Sequence, residues 1–121
     1  MKILVVDDDK YMLDLVTSIL KKRDMDVVSR SNVGDAIRDL AGGGFDCVLL
    51  DLHMPGMDAF SAISVIKDLS PSVAIGVMTG DTDPKWSVLA AQKGADFFLR
   101  KQFDVINISK LVERITCKKQ R

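Results

Sequence analysis

The stretch 46-DCVLLD-51 sets four consecutive apolar residues between two aspartates. It is short for a helix and has no polar alternation, the pattern of a strand covered on both faces. Such a strand belongs to a parallel sheet between helical layers, so its flanks should alternate strand and helix. Upstream, Lys2–Val6 is a second short run rich in Ile, Leu and Val. Lys10–Arg23 then carries Met12, Leu13, Val16, Ile19 and Leu20 at helical spacing. Val27–Val28 marks a weak strand, and Val33, Ala36, Ile37 and Leu40 form a helical stripe closed by Gly42-Gly43-Gly44.

Downstream the alternation continues. After the turn His53-Met54-Pro55-Gly56, residues Phe60, Ile63 and Ile66 form a third helical stripe, with Leu69 at its edge. Val73–Met78 reads as the fourth strand. Asp83-Pro84 reads as an N-cap followed by proline in the first turn of a helix that Gly94 ends. Ala95–Leu99 is the fifth strand, and Ile108, Leu111, Val112 and Ile115 place a last helix on the sheet. This predicts an α/β fold: a doubly wound, five-stranded parallel sheet joined by right-handed crossovers.

Ligands of such sheets bind beyond the carboxyl ends of the strands. Asp7, Asp8 and Asp9 follow the first strand, Asp51 ends the third, Thr79 the fourth, and Lys101 follows the fifth. Three adjacent carboxylates repel one another and need positive charge nearby. Asp7, Asp8 and Asp51 make an oxygen-rich set suited to a hard divalent cation, foremost Mg²⁺, with Mn²⁺ as a substitute. An aspartate between such an ion and Lys101 suits phosphoryl chemistry, because carboxylates form aspartyl-phosphates and the rest is positioning and charge neutralisation. Thr79 would then donate a hydrogen bond to a phosphoryl oxygen. Asp9 reads as the N-cap of the first helix.

In this order, VVDDD (5–9), VLLDLHMPGMD (48–58), VMTG (77–80) and GADFFLRKQF (94–103) resemble the signatures of a response-regulator receiver domain, the CheY-like domain of two-component phosphorelays. The resemblance spans nearly the whole chain. It implies a (βα)5 flavodoxin-like fold with strand order 2-1-3-4-5, and a phosphoryl group received from a sensor histidine kinase or phosphotransfer protein. By motif, Asp51 is the phosphoacceptor. Asp8, Asp51 and the backbone carbonyl of His53 bind Mg²⁺, and Asp7 acts through water. Thr79 and Phe98 match the switch pair that alters the face built from the fourth helix, fifth strand and fifth helix. His53 and Asp81 lie where side chains influence water attack on the phosphoryl group. Trp86 fits either the output surface or the core.

Two positions depart from that family. Gln102 replaces the usual proline after Lys101, which predicts a trans Lys101–Gln102 bond. Ala59 stands where glycine is common. A rival reading, a haloacid-dehalogenase-type Mg²⁺-dependent phosphatase, needs Thr or Val where Asp7-Asp8-Asp9-Lys10-Tyr11 has tyrosine, and a cap domain. A further alternative is a receiver-like interaction module that is never phosphorylated, although the acidic pair, acceptor and lysine are all kept.

The 121 residues fit one domain, with 118–121 as a tail or the start of a linker. Lys+Arg and Asp+Glu number 17 each, which argues against direct nucleic-acid or membrane binding. No secretory or membrane-spanning pattern is seen, so a cytoplasmic location is expected. Cys47 and Cys117 read as reduced thiols within apolar patterns. Partners expected beyond the kinase are a downstream protein or an attached effector domain, with a phosphorylation-dependent dimer implied only by resemblance.

Overall fold

The computed structural model describes residues 1–56, 58–101 and 107–119, with side chains to residue 114. The Lys101–Gln102 bond therefore lies outside the described residues, as do the side chains of Ile115 and Cys117. In chain order the elements are β1 (Lys2–Val6), α1 (Lys10–Lys21), β2 (Asp26–Arg30), α2 (Val33–Ala41) and β3 (Cys47–Asp51). There follow α3 (Ala59–Leu69), β4 (Ala74–Thr79), α4 (Lys85–Lys93), β5 (Phe97–Arg100) and α5 (Ile108–Lys119). All strand pairs are parallel, in the order β2-β1-β3-β4-β5.

Every residue of β3 is buried, as its unbroken apolar run requires. The period of two in the strands divides the core into two layers. Leu4, Val6, Val48, Leu50, Ile75 and Val77 pack with Ala36, Leu40, Ile63 and Ile66 of α2 and α3. Ile3, Val5, Cys47, Leu49, Ala74 and Met78 pack with Met12, Val16 and Leu20 of α1 and with Ile108 and Val112 of α5. Each fully buried Leu or Ile contributes about 1.5–3 kcal/mol.

Most helix starts are capped by the side chain the sequence offers. Asp9 accepts the Tyr11 N–H at 2.9 Å, Asn32 that of Asp35 at 2.9 Å, and Asp58 that of Phe60 at 3.1 Å. Pro84 already has helical dihedrals, and Asp83 accepts the Lys85 N–H at 3.0 Å. Gly94, with φ of 107°, closes α4 in the left-handed conformation glycine favours.

Some boundaries differ from the sequence reading. β2 extends over five residues, because its backbone pairs with all of β1 although only Val27 and Val28 signal a strand. β5 begins two residues late, at Phe97. The Ala95 N–H closes onto Ala90 in the helix-ending turn, and ladder pairing starts only after it. α1 ends at Lys21 rather than Arg23.

Candidate functional site

The chain runs from β1 outward in both directions across the sheet, so a crevice opens beyond the carboxyl ends of β1 and β3. The Asp7 N–H extends the β1–β2 ladder by donating to the Arg30 carbonyl at 3.1 Å, which fixes its side chain in that crevice at 0% exposure. Asp51, the last residue of β3, is 2% exposed. Leu52 donates to Met78, and Lys101 to the carbonyl of Thr79 at 3.0 Å, so β3, β4 and β5 are tied together at this edge.

The two buried carboxylates are held alike. Oδ1 of Asp7 accepts the Asp9 N–H at 2.9 Å, and Oδ1 of Asp51 accepts the His53 N–H at 3.1 Å. Their Oδ2 atoms both face the Lys101 ammonium, at 2.9 Å from Asp7 and 3.1 Å from Asp51. The Lys101 side chain is 16% exposed, so it does not snorkel to the surface. Burial pushes the Asp7 carboxyl above the usual carboxylate range, and the Asp51 charge adds to this; the Asp9 N–H and Lys101 pull the other way. Burial alone would depress Lys101, but its contacts with Asp7 and Asp51 outweigh that and hold it above its ordinary value.

Carboxylate oxygens of Asp7, Asp8 and Asp51 lie within 4.8 Å of one another, with Asp8 exposed at the mouth. Against the single Lys101 ammonium, three carboxylates leave a formal charge of −2. Oδ2 of Asp7 is buried with no hydrogen bond of good geometry, its contact with Lys101 being an ion pair. An all-oxygen set with net negative charge fits Mg²⁺ or Mn²⁺.

Thr79 ends β4 fully buried, and its Oγ1 accepts the Asp81 N–H at 2.9 Å. Oδ1 of Asp81 accepts the Asp83 N–H at 2.9 Å, and Asp83 accepts the Lys85 N–H. Side chains two residues apart thus lead from the crevice to the first residue of α4. The Asp81 carboxyl is held below the usual range by the Asp83 N–H and then by the Trp86 indole. Phe98 is half-buried on β5 and borders a groove of about 320 Å³ with Asp81, Asp83 and Arg100.

His53 is exposed, and its ring meets Trp86 edge-on, with centroids 4.7 Å apart and planes at 84°. Trp86 also stacks on Phe60, at 6.4 Å and 25°. Trp86 therefore lies between α3, α4 and the site mouth. Nothing in local periodicity signals this, because the contacts join the first turn of α4 to the β3–α3 loop and α3, far apart in the chain. Met54, read only as part of a turn, is buried in the core layer with Ala36, Leu40 and Ala62.

The family profile described as "Response regulator receiver domain" matches residues 3–115. The chain is 33% identical over 110 residues to the DNA-binding transcriptional regulator NtrC of Escherichia coli, covering 91% of this chain and 24% of that protein. It thus spans about a quarter of the length of the NtrC relatives it matches. It is 30% identical over 115 residues to the chemotaxis protein CheY of Listeria monocytogenes, covering 94% of this chain and 97% of that one. The CheY-like receiver domain structure from Methanospirillum hungatei superposes with a TM-score of 0.89 at 23% identity, covering 98% and 95% of the two chains, and shows the same fold.

Proposed function

The chain belongs to the response-regulator receiver-domain family, and from that premise we propose that Asp51 accepts a phosphoryl group from a phosphohistidine of a sensor kinase or phosphotransfer protein. Receiver domains are signalling switches rather than turnover enzymes, so phosphorylation here sets a state. The observation that carries the reading is the Lys101 ammonium bridging Asp7 and Asp51 in a buried crevice.

Asp8, Asp51 and the His53 carbonyl would hold Mg²⁺, with Asp7 acting through water. When bound, the ion neutralises charge on the phosphoryl oxygens. The chain's own groups do the rest. The His53 N–H fixes the Asp51 carboxylate. An Asp51 oxygen forms a bond to phosphorus as the phosphorus–nitrogen bond of the donor breaks, its electron pair leaving with the imidazole. Lys101, already between the carboxylates, follows the new negative charge. The Thr79 hydroxyl accepts from Asp81 and keeps its own hydrogen to donate to a phosphoryl oxygen. Movement of Thr79 opens room for Phe98 to turn inward and reshapes the α4–β5–α5 face, which a downstream protein, an attached effector or a second copy would read. His53 and Asp81 modulate loss of the phosphoryl group. Among the described residues no helix is long and apolar enough to cross a membrane, and we place the domain in the cytoplasm with its kinase.

The test is intact mass after incubation with acetyl phosphate and Mg²⁺. One phosphoryl adduct is expected, absent from Asp51→Asn and from metal-free samples. A folded protein that binds Mg²⁺ yet takes up neither phosphoryl group nor fluoroberyllate would overturn the reading in favour of a non-phosphorylated interaction module.

A further inference from the structure

The Trp86 indole is held on several sides. Its face stacks on Phe60 in the first turn of α3, and the Lys85 ammonium lies 4.9 Å from its centroid. Its N–H is buried without closing a hydrogen bond of good geometry, yet it faces Asp81 closely enough to lower that carboxyl. Beyond the core layer it packs against, its edge-to-face partner is the exposed ring of His53. An aromatic that only fills core seldom strands a buried N–H, and seldom spends an edge-to-face contact, worth about 0.5–1.5 kcal/mol, on an exposed side chain. His53 lies two residues beyond Asp51 on the β3–α3 loop, and Asp81 two beyond Thr79 on the β4–α4 loop. The Trp86–His53 contact therefore joins the β3–α3 loop to the first turn of α4, just beyond the loop that carries Asp81.

We propose that Trp86 is a positioning residue for the reaction at Asp51: seated in the first turn of α4 and packed on Phe60, it holds the His53 ring of the β3–α3 loop in place, screening the phosphoryl group from in-line water. This rests on Asp51 being the phosphoacceptor. In the step screened, water oxygen bonds to phosphorus, the bond from phosphorus to the Asp51 oxygen breaks, and inorganic phosphate leaves with the carboxylate restored and a proton released to solvent. Screening by the ring requires its bulk to be in place, not a particular protonation state.

The experiment follows decay of the aspartyl-phosphate, formed with acetyl phosphate and Mg²⁺, in the whole chain. Trp86→Leu keeps apolar bulk against Phe60 and so protects the fold, but removes the edge-to-face partner. It should shorten the phosphorylated lifetime several-fold, and Trp86→Phe should restore most of it. His53→Ala should shorten the lifetime similarly, and adding Trp86→Leu to it should change nothing further, because Trp86 acts through His53. A merely structural tryptophan would instead give independent effects in the double variant. That result, or a parent-like lifetime in Trp86→Leu, overturns the proposal. A parent protein that takes no phosphoryl group removes the premise and the proposal with it, and the parent sample shows which has failed.

Discussion

Burial raises the Asp7 carboxyl above its ordinary value of 3.8, so the folded chain binds this proton more tightly than the unfolded one. Its contribution to stability therefore falls as pH rises from the ordinary carboxylate range through the raised value, and stays low above it. Asp7→Asn removes the charge but keeps an oxygen for the Asp9 N–H. Without metal at pH 7 the variant should melt higher than the parent, because desolvation of the Asp7 charge is the largest influence on this carboxyl. The gap should close as pH falls through the raised value, where the parent carboxyl takes up its proton; melts in chelator from pH 7 downward measure it. A parent that is the more stable at every pH would mean that the Lys101 pairing outweighs desolvation. The charges at issue were legible in the sequence, since Asp7, Asp51 and Lys101 each stand next to a strand end. Their burial was not, because it depends on which strands are neighbours.

Among the elements, β4 and β5 show where the pattern is silent. Gly76 lies opposite Phe97 in register, and a Cβ at Gly76 would overlap the Phe97 ring. The glycine is a seat for that ring, which packs in one layer with Ile108 and Val112. Gly76→Ala is thus expected to cost about 1–3 kcal/mol despite alanine's smaller backbone entropy cost. Gly76→Ala with Phe97→Leu should recover part of that loss, a coupling that denaturant midpoints of the four variants would reveal. From sequence alone, Gly76 was one apolar-run member among six. The caps Asp9 and Asp83 were readable because each acts two residues from itself, whereas the seat under Phe97 and the Trp86–His53 contact join distant segments.

For the whole molecule, the strand order follows from the alternation together with the resemblance, and it gathers the charged strand ends at one edge while both faces are spent on core. An ion held by Asp7, Asp8 and Asp51 would therefore be coupled to the global stability of the domain. An ion that binds only the folded chain adds about 2.7 kcal/mol at a hundredfold excess over its dissociation constant. Mg²⁺ should move the urea midpoint upward without altering the slope, since the surface exposed on unfolding is unchanged. The shift should shrink in Asp7→Asn, which leaves one fewer carboxylate. A slope that changes with Mg²⁺ would mean that the ion also reshapes the folded or unfolded state.

The ladder of side chains from Thr79 through Asp81 and Asp83 to Lys85 behaves as a coupling rod with a slipping clutch. Each rung is a hydrogen bond in or near water, worth about 1 kcal/mol net. A pull on the Thr79 hydroxyl would travel along it until one rung yielded. If Thr79 moves as proposed, this route would give α4 a bias of about fivefold in its preferred position rather than a fixed displacement.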